Sequence, residues 1–371
     1  MNPEKWKRIR ALITTGFTAG KLKAMTSTML STCNVFATNL DSLIDKNQTF
    51  NALSLYSHFT CDIVCSAFFG IDVDTINDSD HPLPKMIRRL IGFEFLKNPR
   101  IFLSGVLLIV FPALALFLHE KGMMDILDPE ASKYLQVLSS QIIEERRSGK
   151  TRRNDFIQFM VDHEDSSAAE ETNENLKHLK KTLTNGEILS QSVLFMIAGT
   201  DTTATTLSWV SHNLAVHPEY QYKLIQEVDA VLDKYDGQVT YEAVSEMHYM
   251  NSVIAETQRM YTIELTDREA HEDYEYKGIK LKKGQIVQIL LRAMSHDETV
   301  FPDADKFIPE RNRDVDQFMP FGSGPRTCIA QRFALLEIKL LLSTILARFR
   351  FERCEKTIVS DFCIMLKLKF W

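Results

Sequence analysis

The segment Phe321–Cys328, Phe-Gly-Ser-Gly-Pro-Arg-Thr-Cys, ends a glycine-rich loop with a cysteine just before an apolar helix. A thiolate there would lie near the positive end of the helix dipole, which favours its ionised form. Gly322 and Gly324 can adopt backbone angles that let the loop close around the sulfur, and Arg326 suits a carboxylate partner. Together these residues indicate the thiolate side of a haem iron; the simpler alternative is a buried, inert cysteine beside a turn.

A second group of chemically useful residues lies in a long apolar segment. Ile188 to Val216 contains no proline, and Asp201 is its single charged residue, so we predict a helix that runs through the interior. Ala198 and Gly199 would let a flat group approach its backbone. A buried aspartate followed by Thr202 is costly unless it serves a purpose, although threonine hydroxyls can also bond to preceding carbonyls in a merely bent helix.

Two further spacings are weaker signals. Trp6 and Arg10 lie one helical turn apart and so point the same way, which also fits the end of an ordinary amphipathic helix. Glu256 and Arg259 lie three residues apart, a spacing that usually gives a surface ion pair.

The pattern Phe-x-x-Gly-x-Arg-x-Cys in Phe321–Cys328 resembles the haem-ligand loop of the cytochrome P450 monooxygenases. The resemblance implies that Cys328 binds the iron of a haem b, and that Phe321, Gly324 and Arg326 contact the cofactor. It extends over essentially the whole chain and is strongest to the microsomal branch that oxidises drugs and steroids.

Ala198-Gly199-Thr200-Asp201-Thr202-Thr203 resembles the oxygen-binding helix of the same family. On this resemblance, Ala198 and Gly199 leave room for dioxygen above the haem. Asp201 and Thr202 are then the catalytic residues, and they relay protons during oxygen activation.

The remaining motifs take family roles in the same way. Trp6 and Arg10 match the family's third helix, whose side chains contact a haem propionate. Glu256, Arg259 and Arg311 are expected to form a buried ionic network behind the cysteine loop. The nearest candidate for a second propionate-binding arginine is Arg268, although the segment around it departs from the family pattern.

The implied function is a haem-thiolate monooxygenase that inserts one oxygen atom from O2 into a lipophilic small molecule. Electrons come from an NADPH-dependent reductase, with cytochrome b5 as a further partner, at the cytoplasmic face of the endoplasmic reticulum. A basic surface formed by lysines of the first 23 residues, Arg332 and Lys339 is expected to dock the reductase. The alternatives are a truncated, non-catalytic homologue and a haem-thiolate isomerase or dehydratase, against which the Asp201–Thr202 pair argues.

The composition of the chain agrees with this implied function. The chain has 371 residues, of which 45% are hydrophobic and 25% charged, and a formal net charge of −6 argues against a nucleic-acid binder. The six cysteines form no Cys-x-x-Cys pair, so a structural zinc site has little support. His58, Cys61 and Cys65 could share a helix face, but their apolar neighbours favour core packing.

The stretch Ile101–Leu118 has 18 residues without a charge and is long enough to span a membrane. Pro112 interrupts it. A pair of short apolar helices that lie on a membrane or line an apolar channel fits better, and we expect a peripheral membrane contact there.

These motifs must be positioned by a mainly α-helical single domain, residues 1–371, with a small β-sheet. The resemblance identifies it as a cytochrome P450 fold that is N-terminally truncated, because the chain begins at the family's third helix. Periodicity predicts helices over residues 21–44, 52–69, 84–96, 129–147, 188–216, 219–235, 247–261 and 330–348. Short strands are predicted near residues 275–276, 285–290, 349–352 and 366–370, and residues 166–185 form an exposed connection.

Overall fold

The structure is a computed structural model that describes residues 3–46, 48–91, 99–125, 127–164, 182–357 and 365–370. These ranges contain 14 α-helices, in the order α1 Pro3–Thr14, α2 Ala19–Asp45, α3 Ala52–Val64, α4 Pro82–Ile91, α5 Pro99–Val110, α6 Pro112–Glu120, α7 Pro129–Arg147, α8 Phe156–Asp162, α9 Asn185–Val216, α10 Pro218–Lys234, α11 Tyr241–Glu246, α12 His248–Met260, α13 Leu291–Ser295 and α14 Gln331–Leu346. The mainly helical fold predicted from periodicity is confirmed. Most of the predicted connection 166–185, the end of the predicted helix 84–96, and Cys363 lie outside the described residues.

Helix α9 is the longest element, and it runs through the interior as predicted. Its start differs from the prediction, because Asn185 and Gly186 do not break the chain but form its first turn. The Thr184 side chain accepts from the Glu187 backbone N–H, and the Glu187 carboxylate accepts from the Thr184 N–H. This capping box satisfies N–H groups that have no partner within the helix, and it outweighs the poor helix propensity of glycine.

Helix α3 packs alongside α9 and continues through a π-helical turn, Cys65–Phe69, which ends at Gly70 with φ of +59°. Among the described residues, Ala52–Phe69 is the one helical stretch long and apolar enough to cross a membrane. Because 72% of this stretch is buried against the rest of the protein, it reads as a core helix. The sequence interpretation that His58, Cys61 and Cys65 belong to the core agrees with the burial of both cysteines.

The apolar stretch Ile101–Leu118 forms two helices, α5 and α6, rather than one span. The break is at Phe111, whose φ and ψ are −134° and 65°, and Pro112 starts α6. Proline lacks the N–H that would continue α5, so the preceding residue leaves the helical region. The two-helix alternative is therefore confirmed.

The strands form three small antiparallel sheets instead of a single sheet. Their bounds are β1 Phe50–Asn51, β2 Thr266–Glu269, β3 Tyr274–Tyr276, β4 Ile279–Leu281, β5 Ile286–Ile289, β6 Phe349–Glu352 and β7 Met365–Phe370. The strand order is β1-β7-β6 in one sheet, and β2 pairs with β5 and β3 with β4. The predicted strands are all present, whereas β1, β2 and β4 were not predicted because their short sequences lack a clear alternation of apolar residues.

An aromatic cluster in the core joins the elements that carry the candidate site. Phe68 of the π-helical turn lies between Phe195 of α9 and Phe333 of α14, with ring centroids 5.6 Å and 4.6 Å away. Phe17 and Phe156 complete the cluster from the other side. The long helix α9 and the helix that follows Cys328 are thus held by one continuous apolar contact.

Candidate active site

The cysteine loop closes on itself as its glycines suggested. Gly322 and Gly324 have φ of +73° and +71°, a region that residues with a side chain rarely enter. The Cys328 N–H donates to the Phe321 carbonyl oxygen at 2.8 Å, and the Thr327 N–H donates to Gly324 at 3.0 Å. The loop therefore holds Phe321, Gly324 and Cys328 in a fixed relation.

The Cys328 side chain is exposed at the end of this loop, three residues before α14 begins. Although one side is open, the surrounding protein raises the pKa of the thiol, while the Ala330 N–H and the charge of Arg10 act in the opposite direction. Metal coordination deprotonates a thiol outright, so a cation at Cys328 would reverse the balance.

Helix α1 attaches to the loop through both residues predicted from its sequence. The Arg10 guanidinium donates to the Thr327 carbonyl oxygen at 2.6 Å. The Arg326 guanidinium carbon lies 3.7 Å from the centroid of the Trp6 ring, a cation–π contact. Trp6, Arg10 and Arg326 are thus brought to the same side of the cysteine loop.

Three guanidinium groups converge there. The pKa of Arg326 is lowered by burial and by the positive charges of Arg268 and Arg10. Within the described ranges, none of these three arginines forms an ion pair with a carboxylate. A group with negative charge would relieve this repulsion. Arg268, the nearest candidate suggested by the sequence, belongs to this group.

The middle of α9 contributes a separate exposed stripe. Ala198 and Thr202 are exposed one turn apart, and Leu194, a turn earlier, is 52% exposed on a helix that is otherwise largely buried. The Thr202 hydroxyl donates to the Ala198 carbonyl oxygen at 2.7 Å. This is the hydrogen bond expected of a threonine with only a structural role in the helix. The Thr202 side chain nevertheless remains exposed.

Gly199 and Asp201 lie on other faces of α9. A Cβ at Gly199 would lie 2.8 Å from Val64 Cγ2, so the absence of a side chain allows α9 to pack closely on α3. This role of Gly199 in helix packing was not predicted from the sequence. Asp201 is half-buried, and burial raises the pKa of its carboxyl while the charge of Arg88 on α4 opposes the rise. A carboxyl with a raised pKa is better suited to hold and release a proton than an ordinary carboxyl.

The predicted ionic network behind the loop is confirmed. Glu256 and Arg259 have side chains that are 0% exposed, and they pair at 2.9 Å. Arg311 Nε donates to Glu256 at 3.0 Å, and Arg259 also donates to the carbonyl oxygens of Ser295 and Ala304. Arg313 is a further member, 3.0 Å from Glu256, that sequence reasoning missed.

The basic surface predicted for docking is only partly formed. Lys339 is half-buried and donates to the Val244 carbonyl oxygen at 3.0 Å, so it is not a free surface cation. The prediction for Lys339 is wrong because its position on α14 faces α11. Lys7, Arg326 and Arg332 are exposed on the cysteine-loop side.

The donor set can be tested against the cofactor that the motifs imply. Cys328 offers one sulfur ligand, and Arg10, Arg268 and Arg326 offer three positive charges without carboxylate partners. Such a set fits a planar group with one metal centre and acidic substituents, and the Trp6 ring lies on the same side of the loop.

Comparison with known proteins adds independent evidence. The cytochrome P450 family model matches residues 1–366. Curated relatives include cytochrome P450 3A14 of Cavia porcellus, 34% identical over 363 residues, and cytochrome P450 3A5 of Homo sapiens, 33% identical over 365. Cytochrome P450 3A2 of Rattus norvegicus is 34% identical over 363 residues. Each alignment covers 95% of this chain and 69% of the relative.

Proposed function

Because the chain belongs to the cytochrome P450 family, we propose that it is a haem-thiolate monooxygenase that inserts one oxygen atom from O2 into a lipophilic small molecule. The observation that carries the proposal is the position of Cys328, exposed in a closed glycine loop beside three arginines that form no ion pair with a carboxylate in the described parts of the chain. When bound, the haem would supply oxygen activation and accept electrons.

The residues of this chain would hold that cofactor from several sides. Cys328 is the proposed iron ligand, and Phe321 and Gly324 fix its direction. Arg10, Arg326 and Trp6 would bind the haem propionates, and Arg268 extends this group of cations. Behind the loop, the Glu256 network positions the segment and takes no part in the chemistry.

On the substrate side, Ala198 and Gly199 would leave room for dioxygen beside α9. Asp201 would hold a proton, because burial raises the pKa of its carboxyl, and the Thr202 hydroxyl would pass protons toward the reacting oxygen. A proton held close to the reaction favours cleavage of the oxygen–oxygen bond over release of peroxide.

A basic and an apolar exposed surface indicate the partners that the protein would bind. The exposed basic residues Lys7 and Arg332 would dock an acidic NADPH-dependent reductase or cytochrome b5 on the cysteine side. Helices α5 and α6 expose large apolar side chains, with Leu103 at 67% and Phe111 at 59%, and would touch the endoplasmic reticulum membrane peripherally.

The test is a reconstituted assay of the haem-loaded protein with reductase, NADPH and a panel of lipophilic substrates under 18O2. We expect products that carry one labelled oxygen atom and that depend on both reductase and NADPH. A protein that binds haem stoichiometrically and gives no product would support a non-catalytic homologue. Turnover of organic peroxides without reductase, and none with it, would support an isomerase or dehydratase.

A further inference from the structure

A cavity of about 420 Å³ lies between the start of α2 and helix α8. Gly16, Lys21 and Met25 line one side, and Arg153, Phe156 and Phe159 line the other. None of its lining residues belongs to the candidate active site. Its volume lies within the range of pockets that hold small organic ligands.

The cavity carries an excess of positive charge. Asp155 pairs with the buried Arg146 at 2.9 Å, and Asp162 pairs with Arg152 at 2.9 Å, so both lining carboxylates are already neutralised. Two lining cations, Lys21 and Arg153, form no ion pair within the described ranges.

Lys21 is the more informative of these two cations. It is half-buried, and its ammonium lies 3.9 Å from the centroid of the Phe159 ring. Burial lowers its pKa, and no neighbouring carboxylate raises it again. A partly desolvated ammonium whose one partner among the described residues is an aromatic ring gains most from an anion.

The floor of the cavity is aromatic. The Phe156 and Phe159 rings lie at an interplanar angle of 30°, with centroids 5.9 Å apart. A Cβ at Gly16 would come within 2.6 Å of the Phe156 ring, so glycine is what allows this ring to lie against the backbone. Because Phe156 is only 2% exposed, the half-buried Phe159 ring is the aromatic surface that an apolar ligand body would find beside the two positive charges.

We propose that this cavity binds a small organic anion with a flat apolar body, such as an aryl carboxylate, independently of the haem site. The Lys21 ammonium and the Arg153 guanidinium would bind the carboxylate, and the Phe159 ring would contact the aromatic part. Because the site bridges α2 and α8, an occupant would also stabilise the fold.

Binding can be measured with 2-naphthoate as the probe, by isothermal titration calorimetry of the haem-loaded protein and of three variants. Lys21→Met and Arg153→Met keep long side chains and remove the charges, and Lys133→Met on α7 is the matched control, because Lys133 is exposed and far along the chain from the cavity. We expect a loss of affinity of at least tenfold for each cavity variant and no change for the control. The melting temperature of each free variant verifies that it folds.

Two further probes separate charge from shape. The neutral isostere 2-naphthalenemethanol and inorganic phosphate should each bind at least tenfold more weakly than 2-naphthoate. Equal affinity of 2-naphthoate for the unmodified protein and both cavity variants would overturn the proposal, as would equal affinity for the neutral isostere. Phosphate binding as tight as naphthoate binding would overturn the role of the aromatic floor.

Discussion

The guanidinium of Arg10 donates a 2.6 Å hydrogen bond to the carbonyl oxygen of Thr327, the residue directly before Cys328. These two residues are separated by almost the whole chain, and their contact ties helix α1 to the cysteine loop. Arg10 also lowers the pKa of the Cys328 thiol against the effect of burial. One side chain thus positions the loop and supplies positive charge beside the sulfur.

Replacing Arg10 by glutamine should weaken haem binding. A hydrogen bond to a charged group contributes about 1.5–3 kcal/mol, so we expect haem to dissociate at least tenfold faster. The rate can be followed by transfer of haem to an excess of apomyoglobin. Lys7→Gln on the same helix is the control, and a rate as fast in the control as in Arg10→Gln would contradict the role of Arg10.

Replacing Thr202 by alanine should uncouple the reaction with little effect on folding, because its hydroxyl bonds only within its own helix, to Ala198. We expect several-fold less product per NADPH consumed and a matching rise in hydrogen peroxide, whereas Thr202→Ser should retain most coupling. Thr206→Ala is a matched control, because Thr206 makes the same type of bond one turn later. Equal coupling in Thr202→Ala and the unmodified enzyme would exclude a proton-relay role.

Replacing Glu256 by glutamine should destabilise the fold strongly. The change leaves Arg259, Arg311 and Arg313 without their shared anion, and loss of one partner of a buried pair costs about 3–5 kcal/mol. Urea unfolding at neutral pH measures the loss. Glu310→Gln, which removes an exposed pair with Lys223, should cost about 0–1 kcal/mol.

The Glu256 network also predicts that the stability of the fold depends on pH. Burial alone would raise the pKa of Glu256, but hydrogen bonds and charges from Arg259 and Arg311 outweigh it and lower the pKa below its ordinary value. A carboxyl whose pKa is lowered by folding stabilises the folded state at pH values above its ordinary pKa. This stabilisation is lost as the pH falls through the lower pKa of the folded state. The stability difference between the unmodified protein and Glu256→Gln should therefore shrink in acid.

Glu337 predicts that the stability of the fold changes with pH in the opposite direction. It is 1% exposed on α14, and neither carboxylate oxygen has a hydrogen-bond partner in the described parts of the chain. Burial raises its pKa well above the ordinary value, so the folded state keeps a proton that the unfolded state releases. Stability should fall as the pH rises above the ordinary glutamate pKa, by at most about 1.4 kcal/mol per pH unit.

Urea unfolding of Glu337→Gln between pH 5 and pH 8 tests this slope. The variant should gain stability relative to the unmodified protein as the pH rises, whereas Glu355→Gln at an exposed position should follow the unmodified protein. Parallel pH curves for Glu337→Gln and the unmodified protein would mean that the glutamate is charged in the folded state.

Features with local causes could be predicted from the sequence. The cysteine loop closes because Gly322 and Gly324 allow its backbone angles, and helix α7 spans Pro129–Arg147 as predicted because Asp128 and Pro129 begin it. The Glu256–Arg259 pair also followed from spacing, although spacing alone predicts a surface position.

Other features depend on tertiary contacts that no local pattern encodes. The charge of Arg268 on β2 acts on Arg326, 58 residues further along the chain, and Lys339 donates to the Val244 carbonyl oxygen because α14 packs on α11. From the sequence, Gly199 was expected to leave space for a ligand. Its lack of a side chain also allows Val64 of α3 to pack closely against α9.

The central claim is that Cys328 is the thiolate ligand of a haem iron, and the most direct measurement is the carbon monoxide difference spectrum of the reduced, haem-loaded protein. We predict the red-shifted band characteristic of a thiolate ligand in the unmodified protein, and its complete loss in Cys328→Ala. Cys354→Ala, which removes a different cysteine of the chain, should retain the band. A haem-loaded unmodified protein without that band, or a band that persists in Cys328→Ala, would contradict the assignment.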